Sequence, residues 1–149
     1  MRASLILCDY ASPDPAGKVH MLGAGWSLTG PQPSQHAVAA FIKVGWTEAN
    51  EPHKLVLHLT DSDGNVVEVA GPAGKQRMEI QGNLEVGRPS GLPHGSEIDA
   101  TFSINLPLVP LAPGQRYTWV LEVDGDPVAS EGFFVRALPP HLASPPTQP

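Results

Sequence analysis

Proline and glycine limit the possible folds of this chain more than any other feature. They number 17 and 15 among 149 residues, about a fifth of the chain against a usual ~12%. Proline removes a backbone donor and glycine costs conformational entropy, so this density interrupts long helices. Helical bundles, coiled coils and transmembrane helices are therefore excluded. The hydrophobic fraction of 41% is nevertheless too high and too periodic for a disordered chain.

The periodicity is two almost everywhere, which is typical of half-buried strands because alternate side chains point to opposite faces of a sheet. It is clearest over residues 98–106, where apolar and polar positions alternate. Residues 77–86 repeat the pattern, with Gly82 on the inward face. A glycine there suggests a bulge or a close backbone approach.

About nine short strands are predicted, separated by turn signals. Asp61 to Asn65 and Asp124 to Pro127 carry Asp, Gly, Asn and Pro, which favour tight turns between paired strands. Residues 36–42 also fit a short helix, but the alternation continues to Trp46 and favours a strand. The predicted strands are residues 3–9, 18–26, 36–46, 54–60, 66–70, 77–86, 98–106, 115–123 and 128–136.

An all-β antiparallel sandwich of two sheets is the predicted fold, because a single sheet of this length would leave one apolar face bare. A closed barrel is the alternative. The predicted domain covers residues 1–136. Residues 137–149 contain five prolines, and we expect this tail to be disordered because proline cannot join a sheet ladder.

Charge and cysteine content exclude several classes of partner. The net charge is −6 and no basic cluster occurs, which argues against nucleic acid and against an anionic membrane surface. The one cysteine, Cys8, lies in an apolar run and is expected to be a buried thiol. The apolar run at residues 5–8 is shorter than the ~7–15 residues of a secretory signal, so a cytoplasmic protein is expected.

Known cofactor and metal motifs fail on their spacing. The Asp61, Asp63, Asn65 series begins like a calcium loop, but Val66 and Pro72 stand where that loop needs glycine and glutamate. Gly23 and Gly25 follow a strand, as in a dinucleotide fingerprint, but the third glycine and the helix are missing. We expect no metal, no cofactor and no catalytic residue of a known motif.

Four segments together resemble a family of small bacterial proteins, found largely in actinobacteria, that is classed as a domain of unknown function. They are residues 23–26 (GAGW), 46–53 (WTEANEPH), 87–93 (GRPSGLP) and 111–119 (LAPGQRYTW). The resemblance would cover residues 3–136. The Pro-Gly-x-x-Tyr-x-Trp piece of the last segment is also similar to a strand entry of immunoglobulin-like and fibronectin-like domains, which implies that architecture. The family implies no catalytic or binding residue.

The leading hypothesis is a non-catalytic module that binds another protein or a copy of itself through loops or a sheet edge. Exposed aromatic, proline-bearing and cationic positions favour recognition. The candidate binding residues are Trp26, Trp46, Arg88, Pro89 and Leu92.

Two alternatives stay open. One is a small enzyme whose pocket is built from distant residues, with His58, Glu68 and His94 as the first candidates and His20 as a further one. The other is a carrier of a small ligand between the sheets. Its cavity would need small inward residues, for which Gly82, Ala100 and Gly132 are the candidates.

Overall fold

The structure is a computed structural model that describes residues 1–33 and 35–141. Within these ranges the chain forms strands and one 3-10 turn and no α-helix, which confirms the prediction of an all-β chain. The 3-10 turn is Trp46–Glu48. The twelve strands are β1 (Arg2–Cys8), β2 (Tyr10–Pro13), β3 (Val19–Leu22), β4 (Leu28–Thr29), β5 (His36–Val44), β6 (His53–Thr60), β7 (Glu68–Gly71), β8 (Gly74–Arg77), β9 (Glu79–Leu84), β10 (Ile98–Leu106), β11 (Arg116–Val123) and β12 (Asp126–Val135).

The count exceeds the predicted nine because local breaks divide the alternating runs. The chain leaves its first ladder after Cys8 and resumes at Tyr10 in another sheet. Gly23 and Gly25 adopt φ of 62° and 89°, which ends β3 early. Trp26 therefore lies outside a strand, contrary to expectation. Trp46 also lies in the 3-10 turn instead of a strand.

Two larger sheets dominate the fold. One has three strands in the order β1-β5-β10, and the other has five in the order β4-β12-β11-β6-β9. All their pairings are antiparallel except the two-residue pairing of β4 with β12. The strand predicted over residues 36–46 forms over residues 36–44 as β5, the central strand of its sheet, and the helix alternative for residues 36–42 is wrong.

Both larger sheets contribute to one apolar core. Leu5, Val38 and Ile42 come from the three-stranded sheet, and Leu57 and Trp119 come from the five-stranded sheet. Trp119 is 0% exposed and is among the largest fully buried side chains. Burying a side chain of Leu or Val size stabilises a fold by about 1.5–3 kcal/mol, so this core is what joins the two sheets.

The β2–β3 hairpin packs on the outer face of the three-stranded sheet. Small residues there leave room for it, and Cys8, Ala11 and Ala37 form a second buried cluster. The Asn105 side chain accepts from the Ala11 backbone N–H at 3.0 Å and donates to its carbonyl at 2.8 Å. The expected burial of Cys8 is confirmed, and it is a free thiol.

The predicted turns form as expected. Asp124 and Gly125 adopt φ of 51° and 87° between β11 and β12, the positive values of a tight hairpin turn. Gly64 donates to the Asp61 carbonyl at 3.1 Å. The Asp61 carboxylate accepts from the backbone N–H groups of Asp63 and Asn65 at 2.9 and 3.0 Å, so this carboxylate serves the turn.

Residues 137–141 follow β12 and contain no strand. The rest of the tail that was expected to be disordered, residues 142–149, lies outside the described residues.

Candidate functional site

Two strands at the edges of different sheets, β9 and β10, define the candidate site. β9 ends the five-stranded sheet and β10 ends the three-stranded sheet. Each pairs with one neighbour, β6 and β5 respectively, and among the described residues neither has a strand on its other side. Half of the backbone donors and acceptors of each edge strand therefore face away from the sheet.

An apolar cavity of about 300 Å³ lies between these two strands. Core residues Ile42, Leu55 and Leu57 line it, so the cavity reaches the centre of the fold. Apolar side chains of β9 and β10 line its sides, among them Ile80 and Ile104. We call this cavity and its two strands the edge groove. Its full lining is Ile42, Leu55, Leu57, Ile80, Gln81, Gly82, Asn83, Leu84, Thr101, Phe102, Ser103 and Ile104.

A small residue helps to keep the edge groove open. Gly82 lines it, and a Cβ built on Gly82 would meet no atom within 4 Å. Ala100 lines a neighbouring cavity of about 980 Å³ that continues around the β10 edge. Gly132 lines neither cavity, and a Cβ there would contact Thr118 at 3.5 Å. Two of the three predicted small residues thus open onto cavities on the same side of the molecule.

The other side of the fold is closed in a different way. β1, the second edge of the three-stranded sheet, packs against β12 of the five-stranded sheet. β9 and β10 do not pack against each other in this way, and the edge groove lies between them. The fold is therefore asymmetric, with one side closed by strand contact and the other open.

Charged side chains near the edge groove are engaged in ion pairs. Arg2 binds Glu97 at 2.7 Å, and Lys43 pairs with Asp99. The hydrogen bond from Arg2 lowers the pKa of Glu97. A hydrogen bond from Gln81, and further the charge of Arg77, lower the pKa of Glu79. The lowered pKa values keep Glu79 and Glu97 ionised. This is typical of solvated carboxylates at a surface and does not favour a role in proton transfer.

The loop between β9 and β10 holds three of the five predicted binding residues, Arg88, Pro89 and Leu92, and it contacts a fourth, Trp46, in the 3-10 turn. Arg88 donates from Nε and Nη2 to the Trp46 carbonyl at 3.2 and 2.8 Å. Its guanidinium lies 4.8 Å from the centre of the Trp46 ring, a cation–π distance. Leu92 is half-buried against the core, and Pro89 is exposed.

Two successive turns give this loop its shape. Leu92 donates to the Pro89 carbonyl at 3.2 Å, and Ser96 donates to the Pro93 carbonyl at 3.1 Å. Gly91 and Gly95 each occupy the third turn position with positive φ of 85° and 84°, which glycine tolerates best. The structure thus brings Trp46, Arg88, Pro89 and Leu92 together at one end of the edge groove, and it places Trp26 elsewhere.

The histidine candidates do not meet. His94 contacts the Trp46 ring with centres 4.9 Å apart, and His20 binds Asp14 at 2.9 Å. No hydrogen bond or ring contact joins His58, Glu68 and His94 within the described part of the chain. Residues 1–33 and 35–141 also contain no group of three His, Cys, Asp or Glu side chains that could hold a metal.

The match to a family model decides the classification of this fold. A model described as a family of unknown function, DUF6941, matches residues 3–136. The chain belongs to the DUF6941 family. Neither a curated protein nor a solved structure matches it. The resemblance to a domain of unknown function is thus confirmed, and DUF6941 membership covers every strand from β2 to β12 and most of β1.

The described residues of this DUF6941 chain form no helix that is long and apolar enough to cross a bilayer.

The inward residues of β9 and β10 are functional candidates that sequence reasoning missed. Their alternation identified Ile80, Phe102 and Ile104 as inward-facing, but it could not show that their strands lie at sheet edges. Gly82, in the middle of an inward face, was the one signal of an incompletely filled site.

Proposed function

We propose that this DUF6941 chain is a non-catalytic protein-binding module that accepts an extended segment of a partner in the edge groove. One observation carries the proposal. Two edge strands without a second partner among the described residues flank an apolar cavity that reaches the core. An added strand gains main-chain hydrogen bonds from the edge, and its alternate side chains enter the cavity.

β10 is the better edge for strand addition. It has nine residues, whereas β9 has six and carries Gly82 at its centre. A longer edge offers more main-chain hydrogen bonds, and glycine weakens a strand. The partner segment would be extended and apolar at every second residue, because side chains of a strand alternate between the two faces.

The same proposal includes three further features of the chain. They are an immunoglobulin-like sandwich, a bacterial and largely actinobacterial origin, and a cytoplasmic location. The shared core of the two larger sheets supports the sandwich. The partner is another protein or a second copy of the chain.

A peptide-display selection tests the proposal. Random twelve-residue peptides are selected against the full chain, and binding is then measured to the variants Ile104→Lys and Val56→Lys. Ile104 lines the edge groove, whereas Val56 is equally half-buried but alternates with the core residues Leu55 and Leu57 and points away from the groove. An inward charge blocks strand addition.

We expect the selected peptides to alternate apolar and polar residues, and to lose binding to Ile104→Lys while retaining it to Val56→Lys. Circular dichroism confirms that both variants fold. A selection without binders, or binders that tolerate Ile104→Lys, would contradict strand addition. Light scattering of the purified chain shows whether a second copy fills the same role.

A small-ligand carrier is the second candidate, and the apolar lining of the edge groove favours it. Apolar pockets of several hundred Å³ are usual for small molecules. Gly82→Val would fill the cavity from β9 and weaken an apolar ligand, while leaving the outward edge of β10 available to a peptide. Peptide binding that survives in Gly82→Val would favour the module, whereas a fluorescent apolar probe that binds the wild-type chain and is lost in Gly82→Val would favour the carrier.

A further inference from the structure

A second recess, distinct from the edge groove, surrounds Trp26. It has a volume of about 420 Å³, and Asp9, Gly23, Trp26, Leu28 and Phe133 are among its lining residues. We call it the Trp26 pocket. It includes the Gly-Ala-Gly-Trp segment, and it shares no lining residue with the edge groove.

Asp9 is placed at the Trp26 pocket by an unusual backbone arrangement. Gly23 has φ of 62°, and a Cβ added there would lie 2.1 Å from the Asp9 Oδ2 atom. Glycine leaves room for the carboxylate in this position, and a Cβ would force the Asp9 side chain to move. The Asp9 side chain nevertheless has no hydrogen bond or ion pair within the described residues, although its backbone N–H donates to the Leu22 carbonyl at 2.9 Å. The Asp9 carboxylate is therefore exposed at the pocket and available to a ligand.

Trp26 supplies a buried polar group without a partner among the described residues. Its indole Nε1 is buried and has no hydrogen-bond acceptor among the described residues. The ring meets Phe133 edge-on, with centres 5.7 Å apart. A buried donor without an acceptor costs about 1–3 kcal/mol, so a ligand that brings an acceptor to it recovers that energy.

Exposed apolar side chains border the Trp26 pocket. Leu28 lines it and is 47% exposed. Tyr10 and Leu22 are paired across β2 and β3, adjacent in sequence to the lining residues Asp9 and Gly23, and are 52% and 68% exposed. These are three of the five large hydrophobic residues found exposed in the described chain. Most of the exposed large hydrophobic residues of the described chain therefore lie in the pocket lining or next to it in sequence, which favours an interaction site there.

We propose that the Trp26 pocket docks a partner protein through an arginine or lysine side chain that is flanked by apolar side chains. The cation pairs with the Asp9 carboxylate, and its aliphatic stem lies against the aromatic wall. A small shift of the Trp26 ring lets its buried Nε1 donate to a main-chain carbonyl beside the basic residue. The apolar neighbours cover Leu22 and Leu28. The partner thus contacts Trp26 at a surface separate from the edge groove, and this contact does not depend on strand addition.

Nuclear magnetic resonance of the ¹⁵N-labelled full chain tests the proposal through the indole N–H signals. Trp26→Phe identifies the signal of Trp26. The probes are N-acetylarginine amide and its uncharged counterpart N-acetylcitrulline amide, followed by the peptide Ac-Leu-Arg-Leu-NH₂. The variants are Asp9→Asn, which keeps the shape of the side chain, and Ile104→Lys in the edge groove. The Trp119 signal reports that each variant is folded, because His36 fixes its N–H in the core.

We expect N-acetylarginine amide to shift the Trp26 signal saturably, and to bind roughly two- to five-fold more weakly to Asp9→Asn, as the loss of one exposed ion pair implies. The citrulline probe should bind the wild-type chain as weakly as the arginine probe binds Asp9→Asn. Ile104→Lys should bind the arginine probe like the wild-type chain, whether or not the edge groove has a ligand. The tripeptide should bind more tightly than the single residue. A missing shift, or equal binding to Asp9→Asn, would overturn the site. If the tripeptide binds no more tightly than N-acetylarginine amide, a protein partner is wrong and the pocket binds a small free cation.

Discussion

Asp124 accepts a hydrogen bond of 2.7 Å from Nδ1 of His53, while Nε2 of the same ring donates to the Glu48 carbonyl at 2.8 Å. Both partners are acceptors, so only the protonated ring can donate to both at once. The His53 side chain is 10% exposed, whereas Asp124 is 52% exposed. One imidazolium therefore joins the 3-10 turn, the start of β6 and the turn between β11 and β12.

Stability should depend on pH through this pair. The hydrogen bond to Asp124, and further the bond to Glu48, raise the pKa of His53. Its stabilisation is complete below the unfolded pKa of about 6.5 and is lost as the pH rises through the higher folded value. The pKa of Asp124 is lowered by His53, so the pair also weakens in acid, as the pH falls from about 3.9 through the folded value. Urea unfolding between pH 2 and 9 should show both limits of this window.

Two histidine variants make the pH prediction specific. His53→Gln should remove the fall in stability above pH 6.5, since glutamine does not titrate. His58→Gln, on the same strand and without a hydrogen bond from its ring in the described chain, should leave the fall in place. If both variants keep the wild-type profile, His53 is not the titrating group.

Alternation predicted the local structure well because it depends on neighbouring residues alone. The inward and outward faces of residues 98–106, the burial of Trp119 and the Asp124-Gly125 turn all follow from short-range patterns. The sequence pattern did not predict the breaks that divide strands, such as the break at Asp9. They arise because the β2–β3 hairpin packs on an outer face that consists of small residues, which is a tertiary effect.

The candidate sites were less predictable because they depend on strand order. Ile80 and Ile104 are 24 residues apart in sequence and become neighbours only because β9 and β10 end different sheets. Asp9 and Gly23 likewise meet through a backbone conformation that a pattern does not reveal. Trp46 and Arg88 were predicted as binding residues, and the structure shows that they bind each other.

Glycine substitutions should separate an open site from a constrained one. Gly82 has ordinary φ and open space at its Cβ position, and glycine in a strand costs about 0.5–1 kcal/mol relative to alanine. Gly82→Ala should therefore raise the free energy of unfolding by about that amount. Urea denaturation measures it.

Gly23→Ala is the matched comparison. Its φ of 62° and the clash of an added Cβ with the Asp9 side chain should make this change destabilising by at least about 1 kcal/mol. The Asp9 carboxylate must also move, so N-acetylarginine amide should bind more weakly. Equal effects of the two alanine variants on stability would contradict the difference in backbone geometry.

The bond between Trp119 and His36 should be important for core stability. Trp119 Nε1 donates to His36 Nε2 at 3.1 Å, and the two side chains belong to residues that are 0% and 4% exposed. Trp119→Phe removes the donor and leaves a cavity. We expect a loss of about 2–4 kcal/mol, measured by urea denaturation. Trp46→Phe, at a half-buried position, should cost less than about 1 kcal/mol, and a similar loss in both variants would count against the role of the buried bond.

Arg88 should control the mobility of the loop between β9 and β10. Its fork donates twice to the Trp46 carbonyl and its guanidinium lies over the Trp46 ring, so the loop is tied to the 3-10 turn. In Arg88→Ala, backbone amides of residues 87–96 should exchange with solvent roughly three- to ten-fold faster, since one such interaction contributes about 0.5–1.5 kcal/mol. Arg88→Lys should give an intermediate rate, because lysine keeps the charge but loses the planar fork. Arg77→Ala, which removes an exposed cation on β8, should leave these amides unchanged. Unaltered exchange in Arg88→Ala would mean that the turns at Gly91 and Gly95 hold the loop without the arginine.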